Sequence, residues 1–255
     1  MEMNLFNRKV LAVVCSAVLF AGMSLATNAN QPQNKKKKNE QQAQKQQNKS
    51  QKAQPARQWQ KPDKMKHEQR LTVYRQFLDQ QQQLHKQYMA QLQREKRMAQ
   101  YRYLQQYSAQ MLQERKRYEN ALKLNYQNDP FYQTAFDRRY NRGGIYYETN
   151  QYGSAQLEQA IQNGYAEGFR AGTADRQDRW RSDYNRSVVY QESLYGYNGY
   201  YVDKDDYRHY FREGFRRGYL DGYNKQYQYG ILSSEKKPTI LGSILGGIIN
   251  FEMLR

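Results

Sequence analysis

YFREGFRRGYLDGY, residues 210–223, places glycine at every fourth position: Gly214, Gly218 and Gly222. The residues between them, Arg, Glu, Leu and aromatics without proline, favour a helix, yet each interior glycine costs a helix about 1 kcal/mol relative to alanine. Spacing of four lines the three glycines along one ridge of the helix. A ridge without side chains lets a second helix approach closely, and the dispersion attraction and weak Cα–H···O bonds formed there offset the lost propensity. A partner is present in the same chain. YAEGFRAGTAD, residues 165–175, matches FREGFRRGYLD, residues 211–221, at a constant offset of 46, and its own ridge is Gly164, Gly168 and Gly172. Aromatic rows run beside both ridges: Tyr165 and Phe169, then Phe215, Tyr219 and Tyr223. The pattern predicts an antiparallel glycine-zipper helical hairpin joined by a tyrosine-rich loop, with Asp175 near Arg208. Charges within the motif, among them Arg170, Asp175, Arg212 and Arg216, exclude packing inside a bilayer.

Around this pair, Ser154 is the expected cap of the first helix and Asp203 of the second, with Asp206 in the capping-box position. Gly143-Gly144 reads as a turn, and Asn198-Gly199 as a hairpin-type turn between tyrosine-rich flanks. The module spans residues 129–235. A short apolar tail, residues 236–255, holds the run from Ile240 to Phe251, too short for the roughly 20 residues a span requires. It is expected to dock on the hairpin or to mediate self-association.

Toward the N-terminus the composition changes. Residues 1–29 have the form of a signal peptide, with Arg8 and Lys9 before an apolar run and a cleavage zone at Ala26 or Ala29. Cys15, the only cysteine, lies within that run, so the exported chain has no disulfide to hold it together. Residues 30–62 form a disordered Gln/Lys/Asn-rich arm, too polar to bury a core. Residues 63–128 contain neither glycine nor proline and predict a long basic helical region, partly coiled-coil, either continuous or folded back. The fold class is therefore mainly α.

Of the net charge of +17, residues 30–64 carry ten bases against two acids, and residues 65–128 carry twelve against five. Residues 129–255 are nearly balanced, with seventeen bases and sixteen acids. A basic half joined to a neutral half argues for two jobs on one chain. Basic residues interleaved with tyrosine suit anionic polymers. The candidate contact residues are Lys35, Lys36, Lys37, Lys38, Arg94, Lys96, Arg97, Arg115, Lys116 and Arg117. Outside the cytoplasm the matching partner is an anionic envelope component, whether lipid, polysaccharide or acidic protein. No specific nucleic-acid reader is expected, nor a transmembrane span in the mature chain, and the helices or the tail offer routes to a homo-oligomer.

No nucleophile elbow, phosphate loop or H-E-x-x-H motif occurs. Asp205, His209 and Glu213 share a helix face, but a lone histidine among acids is ordinary helix surface; His67 and His85 read as solvated. No catalytic, cofactor or metal residue is expected. GYAEGFRAGTADRQDRW (164–180), YFREGFRRGYLDGY and the preceding YYETNQYG (146–153) resemble a set of uncharacterised exported bacterial proteins. Those proteins carry paired Y-x-x-G-F-x-x-G-x-x-D helices and often a glycine-containing apolar tail. The likeness covers about residues 140–250 and implies export and helix pairing, but no reaction. The leading expectation is an exported, non-enzymatic structural or binding protein of the cell envelope, periplasmic or secreted. The alternatives are a periplasmic holdase, supported by a compositional likeness of the basic region to coiled-coil chaperones, and an enzyme built on the tyrosine-rich module.

Overall fold

The computed structural model describes residues 57–58, 64–121 and 128–254. The expected signal peptide, the arm up to residue 56 with Lys35–Lys38 and again at 59–62, the first residue of the basic region, Asp63, and residues 122–127 lie outside the described residues, as does the side chain of His67; Arg57 and Gln58, expected within the disordered arm, instead form a short strand.

The described chain is mainly helical. Its elements are β1 (Arg57–Gln58), α1 (Lys64–Arg94), α2 (Met98–Ala121), α3 (Pro130–Gln133), β2 (Arg138–Arg142), β3 (Ile145–Thr149), α4 (Gln151–Gln177), α5 (Val188–Glu192), α6 (Lys204–Asn224), β4 (Gly230–Leu232), β5 (Pro238–Ile240), α7 (Gly242–Ile248) and β6 (Glu252–Met253). Gly143 and Gly144, both at positive φ (59° and 84°), turn β2 into β3. Two positive φ values in a two-residue turn match the right-handed twist of the strands it joins, and glycine adopts them freely.

The two glycine ridges meet. A Cβ built at Gly164, Gly168 or Gly172 would lie 2.0, 2.1 or 2.2 Å from the carbonyl oxygen of Phe211, Phe215 or Tyr219. A Cβ at Gly214, Gly218 or Gly222 would lie 2.0, 2.0 or 2.1 Å from that of Ile161, Tyr165 or Phe169. Any side chain on either ridge would therefore overlap the partner's backbone. Tyr165, Phe211, Phe215 and Tyr219 beside the ridges are fully buried, and Phe211, Phe215, Tyr219 and Tyr223 follow one another with centroids 6.0–6.4 Å apart.

The order of these contacts corrects the expected direction. Contact positions rise together along both helices, so α4 and α6 run parallel, not antiparallel. Asp175 lies beside Tyr219, whose hydroxyl donates to its Oδ2 at 2.7 Å, and not beside Arg208. The cause is the connection. Residues 178–203 are no tight loop; they contain α5 and return along the pair to the level where α4 began, about 35 Å at 1.5 Å per residue. The register also differs from the sequence repeat. Gly164 faces the Phe211–Phe215 step and Gly214 faces the Ile161–Tyr165 step, which sets equal levels 50 residues apart. An offset of 50 matches all six glycines, 164 with 214, 168 with 218 and 172 with 222. An offset of 46 would match only four and set Gly164 against Tyr210.

The helix ends keep the 46-residue repeat. Arg179 and Lys225 adopt left-handed φ values of 54° and 56°. The next amides, of Trp180 and Gln226, donate to the carbonyls of Asp175 and Asp221 at 2.8 and 3.0 Å, closing each helix with a six-to-one bond. Each motif aspartate is in turn held by a tyrosine of the other helix: Asp175 by Tyr219, and Asp221 by Tyr165 at 2.8 Å. At the start of α4 the cap is Asn150, which accepts from the amides of Tyr152 and Gly153, so the helix begins before Ser154. Asp203 caps α6 as expected, but Asp206 does not complete a capping box. It is buried, paired with Arg142 and hydrogen-bonded by the Tyr140 hydroxyl at 2.5 Å.

The basic region folds back on itself. Glu95–Arg97 interrupt it, with Lys96 at φ 57°, and the pairs Arg115–Asp79 (2.9 Å) and Arg75–Glu119 (3.6 Å) show α1 and α2 antiparallel. Asp178, beyond α4, accepts from the amides of Ala99 and Gln100 at 2.8 Å each, capping α2 from a distant part of the chain. Leu71, Tyr74, Leu78, Tyr103, Leu104 and Tyr107 join the same core as Leu157, Tyr165 and Phe211. The basic hairpin is thus one wall of the fold. Asn198-Gly199 forms a local turn, Asn198 Oδ1 accepting from the amides of Tyr200 and Tyr201, with no hairpin strands around it.

The tail docks on the module. Gln162 of α4 bonds both the Pro238 carbonyl and the Ile240 amide of β5, β6 pairs with β2, and Phe251 packs edge-on against Tyr140. Among the described residues its glycines do not serve close helix contact: a Cβ at Gly242, Gly246 or Gly247 would meet nothing within 4 Å. Among the described residues no helix is long and apolar enough to cross a membrane.

Candidate functional site

The fold divides the basic residues into those engaged within the chain and those turned outward. Arg97 is engaged: its Nη2 lies 2.5 Å from Asp175 Oδ1 and its guanidinium stacks 4.3 Å from the Trp180 ring centroid. Arg115 is held by Asp79 and Glu119, and Arg117 by Glu114. Arg94, Lys96 and Lys116 are exposed, as are Lys86 and Arg102, which the sequence did not single out. None of these five makes an ion pair among the described residues. Arg94, Lys96 and Arg102 sit at or near the hairpin turn, whereas Lys116 and Arg117 sit about 30 Å along α2 at 1.5 Å per residue. The candidates therefore form two separate basic clusters.

Several carboxylates are buried in the fold, among them Glu167, Asp175, Glu192 and Asp206. His85, expected in solvent, is fully buried, and its Nε2 lies 2.6 Å from Glu192 Oε1. The Tyr107 hydroxyl donates to Glu192 Oε2 at 3.3 Å. Burial pushes the Glu192 carboxyl above its ordinary range, and its bonds to His85 and Tyr107 oppose the shift. Glu167, the glutamate of the first motif copy, is buried and paired with Arg170; burial raises it too, with Arg170 opposing. Asp175 and Asp206 are likewise raised, chiefly by desolvation. His85 and Glu192 have the composition of an acid–base dyad, but the ring is sealed in the core and its Nδ1 has no partner among the described residues. The geometry supports a latch between α1 and the connection. No sequence signal marks it, since the partners lie 107 residues apart.

The tyrosines serve the same fastening. Tyr74, Tyr197 and Tyr207 bury their rings and Tyr223 half-buries its own, and each donates to a main-chain carbonyl in or beside residues 178–203, at 2.6–3.0 Å. A phenol fills a core position while satisfying a carbonyl that an irregular segment leaves open. His209 is exposed on α6 with its ring against Tyr210, and burial of part of the ring lowers its pKa. Glu213 is engaged by Arg216 and Arg217. Among the described residues no group of three His, Cys, Asp or Glu is placed to hold a metal ion.

Two openings adjoin this layer. A groove of about 780 Å³ runs between α1 and residues 188–208, with Val73, Phe77, Leu84 and Leu194 in its walls and Arg208 at its rim. A smaller, more polar cavity of about 220 Å³ lies between the α1–α2 turn and residues 180–191. No family model, curated protein or solved structure matches the chain.

Proposed function

We propose that this chain is an exported, non-enzymatic binding protein of the cell envelope whose basic hairpin engages an anionic surface or polymer. The supporting observation is the set of exposed cations Lys86, Arg94, Lys96, Arg102 and Lys116 on a hairpin built into the core. In this reading the parallel glycine-zipper pair is the rigid centre, α1 and α2 pack on it as a short coiled-coil-like hairpin, and the N-terminal arm adds charge. Each lysine or arginine near an anionic bilayer contributes about 1 kcal/mol, and salt screens it. Co-sedimentation with vesicles containing an anionic lipid tests the reading. Binding should fall steeply with salt, and Lys86, Arg94, Arg102 and Lys116 changed together to Gln should weaken it by well over tenfold. Salt-independent binding, or binding unaffected by the four changes, refutes it.

A second reading, a holdase, is favoured by the groove along α1, where Val73 and Leu84 remain 63% and 40% exposed. Suppression of client aggregation that is lost in Val73→Ser/Leu84→Ser, with vesicle binding retained, would select it over the first.

A further inference from the structure

A third opening, a groove of about 450 Å³, lies between α2 and α4, with the β4–β5 hairpin as its third wall. Helix periodicity orders two of the walls. Ala99, Arg102 and Gln106 follow one another at three and four along α2, and Phe169, Thr173 and Gln177 at four along α4, so each helix turns one face to the groove. The supports are fixed. Asp178 caps α2, and Gln162 of α4 ties the hairpin through β5. Two main-chain bonds between Ser233 and the residues Lys236 and Lys237, of 2.8 and 2.9 Å, hold the turn that carries Lys236.

Three cations line this groove, one from each wall: Arg102, Arg170 and Lys236. No carboxylate lines it. The two openings described above differ, with Glu192 and Asp203 in the wall of the first and Asp175 and Asp183 in that of the second. Arg102 and Lys236 are exposed and make no ion pair among the described residues. Arg170 is paired with Glu167, which is only 2% exposed. That bond engages Nη1 and leaves the other donors of a side chain that is 37% exposed. The charges of Arg170 and Glu167 act on the Tyr103 hydroxyl, one residue along from Arg102, so both arginines serve the same stretch of groove. Lys236 stands in its third wall on a long flexible stem. Three cations less one carboxylate leave a charge of +2. A phosphomonoester carries about −1.5 to −2 near pH 7 and offers three acceptor oxygens, and guanidinium groups are well matched to it.

Between its charges the groove is apolar. Leu232 lines it and remains 42% exposed; Phe169 lines it too, and Tyr227, 50% exposed, stacks on Phe169 at 5.7 Å. Exposed apolar and aromatic side chains beside cations suit a membrane surface, where hydrocarbon meets anionic headgroups. A free phosphate would use the cations alone, whereas a lipid uses both. We propose that this groove seats the phosphomonoester headgroup of an anionic lipid, with Leu232 and Tyr227 against its acyl region. The inference rests on the reading of the chain as a binder of anionic surfaces and adds a lipid class and its seat.

Calorimetric titration of the full exported chain with monomeric dihexanoyl phosphatidic acid, dihexanoyl phosphatidylglycerol and inorganic phosphate tests it. The phosphatidic acid should bind saturably, about tenfold or more tighter than the other two. Arg102→Gln and Lys236→Gln should each weaken it about fivefold, the loss expected of one cation beside an anionic headgroup. Lys204→Gln, which removes the same charge at the start of α6, should leave it unchanged. Leu232→Ser should weaken phosphatidic acid and not inorganic phosphate, and all variants should keep the parent's circular dichroism spectrum. Failure to saturate, equal affinity for the two lipids, equal effects of Lys236→Gln and Lys204→Gln, or phosphate binding as tight as the lipid's would overturn the proposal. A monomeric lipid presents no surface, so the two readings fail separately. Salt-dependent binding to phosphatidylglycerol vesicles with no preference for phosphatidic acid overturns this one alone, and selective binding of the monomer with salt-independent vesicle binding overturns only the surface reading.

Discussion

Gly168→Ala adds a single methyl group to a helix, a change that propensity alone would reward by about 1 kcal/mol. Here it should do harm. The added Cβ would stand 2.1 Å from the Phe215 oxygen and 2.8 Å from the Phe215 carbonyl carbon. Ordinary contact begins near 3.4 Å, so the helices must part locally by about 1.3 Å. The neighbour is main chain within a helix, and it cannot swing aside as a side-chain tip would. Parting the pair loosens the fully buried Tyr165, Phe211, Phe215 and Tyr219. Overpacking a tight core costs about 1–3 kcal/mol, and loss of contact along the seam brings the expected destabilisation to about 2–4 kcal/mol. For a domain of this size each kcal/mol lowers the melting temperature by about 2–4 °C, so a drop of about 5–15 °C is expected. Gly246→Ala in α7 is the internal control, because its Cβ would meet nothing within 4 Å. That variant should melt at or slightly above the parent. Thermal unfolding of both, followed by circular dichroism, decides. If Gly168→Ala melts with or above Gly246→Ala, the argument from close approach is wrong.

Other expectations follow from the buried charges and the tail. Glu192 has its folded pKa raised above its ordinary 4.5, so the native state holds its proton more tightly than the unfolded chain. Its contribution is full below about 4.5 and is lost as pH rises through the folded value. Glu192→Gln should therefore flatten the fall in melting temperature as pH rises above about 4.5, and an unchanged slope would exclude the assignment. Arg97→Met should destabilise the fold by about 3–5 kcal/mol by leaving Asp175 charged and buried, and adding Asp175→Asn should recover part of the loss; strictly additive effects in urea unfolding would contradict the pairing. Removing residues 238–254 deletes β5 and β6 and frees Gln162, so it should speed amide exchange in β4 and around Gln162, whereas unchanged exchange would mean that the tail contributes nothing there.

The glycine spacing and the absence of helix breakers made the helices readable, as the consecutive glycines did the turn between β2 and β3. Direction was not readable, because two ridges of glycine fit each other in either sense. Residues 178–203 decide it, and they decide it through tyrosine hydroxyls placed on carbonyls, a signal with no periodicity. The register escaped for a related reason. The local motif repeats at 46 because each copy carries its own cap, whereas the ridges align at 50 because all six glycines then meet. The break at Glu95–Arg97 lacked a sequence mark because Lys96 takes the left-handed conformation that glycine usually fills. Among the candidate cations, Arg97 and Arg115 proved structural because their partners Asp175 and Asp79 lie far away in sequence. The cavity wall assembles residues from 88 to 191, and no local pattern could reveal it.

The parallel direction of α4 and α6 underlies the glycine contacts, the crossed Asp–Tyr bonds and the placement of the connection, and one distance measurement tests it. Spin labels at exposed Gln177 and Lys225, at the C-terminal ends of the two helices, report one arrangement; labels at Gln177 and exposed Lys204, at the opposite end of α6, report the other. With Cys15 replaced by Ser to leave no native thiol, pulsed electron–electron resonance on the full chain should give a short distance for 177–225. The 177–204 distance should be longer by about 30 Å, the length of α6 at 1.5 Å per residue. A short 177–204 distance with a long 177–225 distance would mean an antiparallel hairpin and would contradict the account.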